Sequence, residues 1–423
     1  MTTSTPTNWA GNVTFRARQV HTPSSVEELQ HLVASAENIR ALGTGHSFNL
    51  VADTEGDLVR LHGLPPRIDI DRRASTVTVA AGLRYAQVAQ RLHEQGFALA
   101  NMASLPQISI AGAVATGTHG SGEGLRGLAS AVAGLRLVGA GGRLTELRRE
   151  DPQGQLPGAV IGLGALGIVT DVTLDIEPAY EVAQWVYDGL SLDRLSAGFD
   201  EISGAGYSVS VFTDWHADAA QVWLKTRTDQ PGAGHPGDSW LGARPADGPR
   251  HPIPTMPGTW CTVQSGIPGP WHERLPHFRP DFTPSSGAEL QSELLLPRAA
   301  AREAFAALRE LGDRIRPCLQ ISEVRTVAAD DLWLSPAYRQ DSVALHFTWT
   351  EDTAAVLPVL GAVENRLVPL GARPHWGKLT TIAPQDVIGR YERAPDFERL
   401  MALHDPAGVF RNAFVNGLFP RQA

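Results

Sequence analysis

Cysteine is almost missing from this chain: Cys261 and Cys318 are the only two in 423 residues. That excludes a disulfide framework and a cysteine-rich metal centre. The 14 histidines show no H-E-x-x-H or comparable ligand spacing, so a metal hydrolase is disfavoured and no metal is expected. No run of lysine and arginine occurs, and the formal net charge is −9. Neither nucleic acid nor an anionic membrane surface is therefore an expected partner. No apolar stretch reaches the ~18 residues of a membrane span, and residues 1–12 lack the apolar centre of a secretory signal. Internal repeats and low-complexity tracts are absent too. A soluble, cytoplasmic protein is the expectation these absences leave.

What is present is apolar content, 43% hydrophobic, over a length that corresponds to about two or three domains. A large core is possible and disorder is not the default. Ser25-x-x-Glu28 reads as a capping box opening a helix with Val26, Leu29, Leu32 and Val33 on one face. Strands are expected at 39–42, 57–61, 68–71 and 76–80, and a helix over 85–95 stopped by Gly96. The segments 132–138 and 144–147 flank Gly141-Gly142, a hairpin signal. A β-branched strand runs over 168–176, and the first ~178 residues read as compact α+β. From Asp229 to Trp260 the chain is thick with proline and glycine, including Pro231, Gly232, Gly234, Pro236, Pro252 and Pro254. So long a stretch is a functional loop or an insertion. A helix over 298–311, strands near 319–327 and 343–350, a helix around 355–368 and short C-terminal helices complete the pattern.

Two glycine-rich segments carry the chemistry. In Arg40-Ala41-Leu42-Gly43-Thr44-Gly45-His46-Ser47-Phe48-Asn49, a short strand runs into two glycines and then a histidine. Glycine admits φ > 0 and lets backbone N–H groups come close to a ligand. From Ser104 through Ser109, Gly112, Thr116, Gly117, Thr118 and His119 to Gly122, small residues dominate for nearly twenty positions. Glycine and alanine bury little area, so this run suits backbone laid against a large planar or phosphorylated ligand. A third segment, Gly162-Leu163-Gly164-Ala165-Leu166-Gly167, fits G-x-G-x-x-G, but the β-branched Ile168-Val169-Thr170 follows. A strand instead of a helix comes next, which argues against a nicotinamide-binding Rossmann unit.

Strand geometry supplies a polar face. Side chains at i and i+2 share a face, so Glu323 pairs with Arg325 on one strand and His346 with Thr348 on the next. On an open sheet these would be an ordinary same-face ion pair and solvated side chains. Against a cofactor they would line a pocket for several hydroxyls.

The chain resembles the FAD-linked oxidases of the vanillyl-alcohol-oxidase type, and within them the alditol-oxidising branch, with the aldonolactone oxidases as relatives. The resemblance spans essentially the whole chain. It rests on 41–49, 101–121, Asp405-Pro406-Ala407-Gly408 with Phe410-x-Asn412, the segment Gly269 to Phe278, Glu323-Val324-Arg325-Thr326, His346-Phe347-Thr348-Trp349 and Arg373-Pro374-His375-Trp376-Gly377-Lys378. It implies an α+β fold of two domains. Residues 1–178 would begin the FAD domain, 179–378 form the substrate domain on a mixed or antiparallel sheet, and 379–423 return to the FAD domain.

The resemblance further implies FAD attached covalently through His46. Leu42, Gly43, Thr44, Gly45, His46, Ser47, Asn49, Ser109, Gly112, Thr116, Gly117, Thr118, His119, Ile168 and His375 would hold it. Ser104, Glu323, Arg325, His346, Thr348 and Lys378 would bind substrate, with Lys378, Glu323 and Arg325 in the catalytic set. A second, cysteinyl link is not expected, because neither cysteine lies in the N-terminal half. The implied reaction oxidises the terminal alcohol of a small polyol to the aldose and reduces dioxygen to hydrogen peroxide, in a protein expected to be monomeric. Two alternatives stay open: an aldonolactone oxidase or dehydrogenase on the same fold, and an NAD-dependent polyol dehydrogenase or sugar-binding protein.

Overall fold

A computed structural model describes residues 6–230, 237, 239–281 and 288–421. Pro231, Gly232, Gly234 and Pro236 of the proline- and glycine-rich stretch lie outside the described residues.

Every strand through Pro178 belongs to one of three small sheets, and every strand from Glu181 to Pro374 to one large sheet. At the N-terminal end Gln19–His21, Asp57–Val59 and Ile39–Ala41 pair in parallel. A five-stranded antiparallel sheet follows, ordered Ile68–Asp71, Thr76–Ala80, Ile168–Asp175, Val132–Val138 and Leu144–Arg148. The hairpin closing it turns through Gly141 at φ 71° and Gly142 at φ 76°. A Cβ on Gly142 would stand 2.4 Å from the Gln30 carbonyl, because the helix Val26–Ser35 packs on this turn. That helix is capped by Ser25 Oγ, which accepts the Glu28 N–H. The reciprocal half of the expected capping box is displaced by one residue: Glu28 Oε2 accepts the N–H of Ser24, not of Ser25. The segment Gly162–Gly167 feeds directly into the strand Ile168–Asp175, so no helix dipole stands behind it.

The large sheet has nine antiparallel strands. Its central order is Glu181–Leu190, Ala220–Arg227, Ser208–Thr213, Leu319–Val327, Ser342–Trp349 and Leu290–Pro297. One face buries Val211, Val324, Leu345 and Phe347 under helices that include Ala301–Glu310 and Thr353–Leu367. The other face is turned to the N-terminal unit. The helix expected around 355–368 is there, and contrary to the expectation that no stretch reaches membrane-span length, Thr353–Leu370 could cross a membrane by length and composition. Val356, Leu360, Val363 and Leu367 on it are instead buried against the sheet.

The C-terminal helices Pro384–Ile388, Ala394–His404 and Ala413–Leu418 return to the N-terminal unit, where Val387, Phe397, Leu400 and Val415 join its core. The motifs near the end of the chain are latches. Asp405 carboxylate oxygens accept the N–H groups of Val409 and Phe410, each at 2.8 Å. Asn412 Nδ2 donates to the carbonyls of Leu50, Val51 and Asp53 at 2.8–3.2 Å. They pin the C-terminus beneath the first glycine loop.

Candidate active site

The two units meet around a cavity of about 810 Å³, toward the upper end of cofactor and small-molecule sites. Its first wall is the glycine loop. None of the N–H groups of residues 43–47 finds an acceptor among the described residues, and all five residues line the cavity, so these donors are available to an anionic group bound there. Glycine is required here. Gly45 has φ 74°, and a Cβ on Gly43 would lie 2.3 Å from Ser109 Oγ. The second segment forms the facing wall from the short helix Ile110–Ala115, whose Gly112 lies against the same Ser109 Oγ. These glycine contacts and free donors fit a phosphorylated dinucleotide laid between the two segments.

His46 is held from several sides. The Trp9 ring stacks on it with centroids 5.0 Å apart, and Thr44 Oγ1 is 3.1 Å from its Nδ1. The Trp9 N–H donates to the Gly45 carbonyl, and Asn8 and Asn12 side chains donate to the Ser47 and Phe48 carbonyls. Burial, with the nearby Arg84 charge, lowers the His46 pKa to about 4, so the imidazole is neutral.

The structure brings most of the expected site residues to this cavity. Leu42, Gly43, Thr44, Gly45, His46, Ser47, Asn49, Ser109, Gly112, Thr116, Thr118, His119 and His375 line it, as do Ser104, Glu323, Arg325, His346, Thr348 and Lys378. Ile168 and Gly117 do not line the cavity, and Asn49 lines it with its side chain engaged elsewhere. Ile168 is buried in the core with Val138 and Phe410. Its neighbours Gly167 and Val169 face the cavity, because side chains alternate along the strand. Gly117 is also off the cavity; its Cβ position faces Ile161 and Pro336. Asn49 has its side chain committed to protein: Nδ2 donates to the carbonyls of Trp376 and Lys378 at 2.8 and 2.9 Å, and Oδ1 accepts from Val51. It anchors the lysine-bearing segment to the histidine loop.

The large sheet supplies the third wall. Glu323 on Leu319–Val327 lies opposite His346, and His346 lies opposite Glu293 on Leu290–Pro297. Glu293 was not foreseen. It is 1% exposed, and its carboxylate takes Lys378 Nζ at 2.8 Å and the Arg325 guanidinium, with His119 Nε2 at 3.3 Å. Burial alone would raise the Glu293 pKa, but Lys378 and Arg325 outweigh it and hold the group well below the carboxylate range. Glu323 follows the same pattern. Burial opposes its charge; Arg325 and the hydrogen bond from His277 restore it and keep it ionised. Two carboxylates thus balance Arg325 and Lys378 in a nearly dry cluster. His346 and His375 stay neutral: burial, then Lys378, lowers His346 to about 3 and His375 well below its ordinary value.

Hydrogen-bond counting assigns the donors. Lys378 Nζ donates to Glu293 Oε2 and to His346 Nδ1, the latter at 2.7 Å. The His346 proton is therefore on Nε2, which is 3.2 Å from Thr348 Oγ1. An ammonium has three donors, so one Lys378 proton remains without an acceptor among the described residues. Gln291 adds a polar group to the same face, while Phe212, Ile253, Phe278 and Ile321 give the cavity an apolar side. The described part of the proline-rich stretch builds that side. Gln264 exchanges two hydrogen bonds with the Arg250 backbone, which sets His251, Pro252 and Ile253 against the cavity.

The sequence matches known proteins in ways that parallel these two halves. Residues 17–148 match the family described as FAD binding domain, and residues 289–418 the family described as D-arabinono-1,4-lactone oxidase. An alditol oxidase of a Streptomyces species is 51% identical over 416 residues, covering 97% of this chain and 98% of that protein. An L-gulono-1,4-lactone dehydrogenase of Mycobacterium tuberculosis is 29% identical over 437 residues, covering 96% and 97%. The crystal structure of cholesterol oxidase from B. sterolicum superposes with a TM-score of 0.77 at 15% identity, covering 98% of this chain and 96% of that one. This last likeness establishes the shared FAD-linked oxidase fold alone.

Proposed function

The chain belongs to the alditol oxidase family, and from that premise we propose that it oxidises the terminal CH2OH of an acyclic polyol to the aldose, using FAD carried covalently on His46 and dioxygen as electron acceptor. FAD would be held by the two glycine segments and would supply the two-electron acceptor, with dioxygen as its oxidant and hydrogen peroxide as the product. The observation that carries the substrate reading is the face made by Glu323, Arg325, His346, Thr348 and Lys378. It presents a carboxylate, two cations and a hydroxyl toward one cavity, and its opposite side is apolar. A carbon chain bearing a hydroxyl on each atom matches both sides.

The protein's own residues divide the labour. The unassigned Lys378 proton and the Arg325 guanidinium donate to the oxygen of the reacting carbon and favour its negative charge. Glu323, ionised and an acceptor on both oxygens, takes the hydroxyl proton. Thr348, Gln291 and Ser104 hold hydroxyls further along the chain. Glu293 keeps Lys378 charged against its burial, which by itself lowers the lysine pKa. The neutral imidazole of His46, clamped by Trp9, is the attachment point; single attachment follows from the position of Cys261 and Cys318 outside the cavity. We read the enzyme as a cytoplasmic monomer.

The test is direct. The purified protein should be yellow, keep its colour with the polypeptide after acid precipitation, and release peroxide with xylitol, sorbitol, mannitol or glycerol. The 289–418 match also supports aldonolactones as substrates, so lactones belong in the same panel; turnover of lactones and no polyol would replace the proposed substrate class. A colourless protein active with NAD would overturn the reading.

A further inference from the structure

The chain contains only two lysines, Lys225 and Lys378, among 36 basic residues. Both are at this site. Lys378 touches the cavity; Lys225 does not. It sits on Ala220–Arg227, 1% exposed, and its Nζ has three partners: the Leu275 carbonyl, the Pro276 carbonyl at 3.3 Å and His277 Nδ1 at 3.1 Å. The other nitrogen of His277, Nε2, is 2.8 Å from Glu323 Oε1, with Ser210 Oγ at 3.4 Å. Phe212 and Trp223 pack edge-on against the imidazole at 5.5 and 5.2 Å, fixing its orientation. An unbroken line of contacts therefore runs from a buried amine through a neutral histidine to the carboxylate that faces the substrate.

Resting on the proposed polyol oxidation, we propose that Lys225, acting through His277, is where the proton that Glu323 takes from the substrate hydroxyl comes to rest. The three partners of Nζ make this possible. Two are carbonyls, which accept only. The third, Nδ1, either accepts or donates. As an amine, Lys225 donates to both carbonyls and accepts the Nδ1–H of His277. As an ammonium it donates to all three. Nζ is satisfied in both states, and the Nζ–Nδ1 hydrogen bond reverses between them.

The proton balance closes within these groups. In the base form Lys225 is an amine and His277 carries its proton on Nδ1, so Nε2 gives up its hydrogen bond to Glu323 and is free to accept a proton. The substrate O–H bond breaks and a Glu323 O–H bond forms. That proton passes to Nε2 while the Nδ1 proton passes to Nζ. Glu323 ends as a carboxylate, His277 as the Nε2–H tautomer donating to it, and Lys225 as an ammonium. One proton has been gained and none lost. An arginine, always protonated, has no lone pair to offer here.

The charges around the unit suit the role. Burial lowers the Lys225 pKa to about 7, Glu323 and Cys261 draw it upward, and Arg325 lowers it. Burial, with Lys225, keeps His277 at about 4, so it transfers protons without holding a charge. The neighbouring strands contribute Ser208, Ser210 and Gln184, which do not titrate. Lys225 is a positioning residue; of the three groups in the relay only Glu323 touches substrate.

With only two lysines, protein grown on lysine labelled with 13C at Cε gives two side-chain signals, which Lys225→Met assigns. In the oxidised holoenzyme the Lys225 signal should titrate between about pH 6 and 8. The pH profile of kcat/KM for an accepted polyol should rise through the same range. Lys225→Met should lose that rise and fall by about ten-fold or more at pH 8, within the usual worth of acid–base catalysis, with the flavin spectrum unchanged. His277→Gln should abolish the coupling, leaving Lys225→Met without further effect in that background. Should Lys225→Met fail to fold, the wild-type titration decides by itself. A Lys225 signal that stays ammonium to pH 9, or a folded Lys225→Met with the wild-type pH profile, would overturn the relay. If no polyol is oxidised, the lysine titration still reports on the relay, so failure of the substrate reading is distinguishable from failure of this one.

Discussion

Glu293→Gln is the substitution that most sharply tests the charge balance of the site. The two side chains have nearly the same shape, so packing is preserved and only charge and one acceptor are lost. The carboxylate currently receives Lys378 and Arg325 and faces His119. A glutamine there has one accepting oxygen, and its NH2 group must face one of the two cations, donor against donor. Breaking a buried ion pair by removing one partner costs about 3–5 kcal/mol. The glutamine oxygen retains one of the two bonds, so the lower end, about 3 kcal/mol, is expected. At about 2.1 cal/mol/K per residue of unfolding entropy, a chain of 423 residues melting as one unit would lose about 3 °C in Tm.

The pH dependence has a definite sign. Glu293 has a folded pKa below its unfolded value. Its stabilisation is therefore present above the unfolded value of about 4.3 and is lost as pH falls through the folded one. The Tm gap between wild type and Glu293→Gln should be open at neutral pH and close in acid. Lys378 moves too. Burial already lowers its pKa, and Glu293 is the main group raising it. Without Glu293 the ammonium survives only at lower pH, so the basic limb of kcat/KM should shift downward. Peroxide release against pH, with a thermal-shift series on the same samples, reads both effects. A variant with wild-type Tm at every pH and an unmoved basic limb would refute the assigned role of Glu293.

Other perturbations reach the remaining walls of the cavity. His46→Ala should leave FAD extractable by acid, with the protein still folded around it; covalent flavin persisting in that variant, seen as in-gel fluorescence, would place the attachment elsewhere. Gly43→Ala puts a Cβ at 2.3 Å from Ser109 Oγ and should lower FAD occupancy by about ten-fold, equivalent to about 1.4 kcal/mol. Adding Ser109→Ala should restore it, by flavin absorbance per polypeptide. Asn49→Ala removes the donor to the Trp376 and Lys378 carbonyls and should cost about 1–3 kcal/mol of stability, with kcat falling more than the FAD content.

The cofactor half of this site was legible in the sequence because its requirements fall on backbone. Gly43 and Gly112 occupy positions where a side chain would meet Ser109, Gly45 takes a φ of 74°, and residues with such constraints are visible in a one-dimensional string. The polar faces of Glu323/Arg325 and His346/Thr348 were legible because strand alternation is local. Glu293 was equally accessible by the same rule. Glu289-x-Gln291-x-Glu293 repeats polar residues every second position, but the sequence reading places no strand there. Ile168, which the resemblance implied, has its side chain in the core, one residue out of phase with Gly167 and Val169, which face the cavity. The wall from His251 to Ile253 could not be read at all. It depends on Gln264 reaching back to Arg250, a contact with no periodic signature. Asn49, Asp405 and Asn412 were visible as polar residues in motifs, yet their work is to hold one segment against another, which only tertiary contacts reveal.

The rarity of lysine gives the site a common logic. Thirty-four of the 36 basic residues are arginine, and arginine serves every surface ion pair among the described residues that does not involve histidine. It also serves the buried structural role: Arg40 donates to the carbonyls of Gly164 and Phe410 at 2.9 and 2.8 Å. The two positions where lysine stands are both paired to a histidine Nδ1, at 2.7 Å for Lys378 and 3.1 Å for Lys225. Both histidines point Nε2 at an oxygen of the substrate-facing strands, Thr348 in one case and Glu323 in the other. A compact amine next to a neutral imidazole does what a guanidinium cannot: it gives or accepts a single proton while keeping its own hydrogen bonds. The two pairs differ in where the third proton goes. Lys225 spends it on a carbonyl and so faces inward; Lys378 keeps it for the cavity. One pair therefore stores charge while the other presents it, and Arg325 with the two glutamates keeps the sum near zero, which is what lets so many ionisable groups share one buried face.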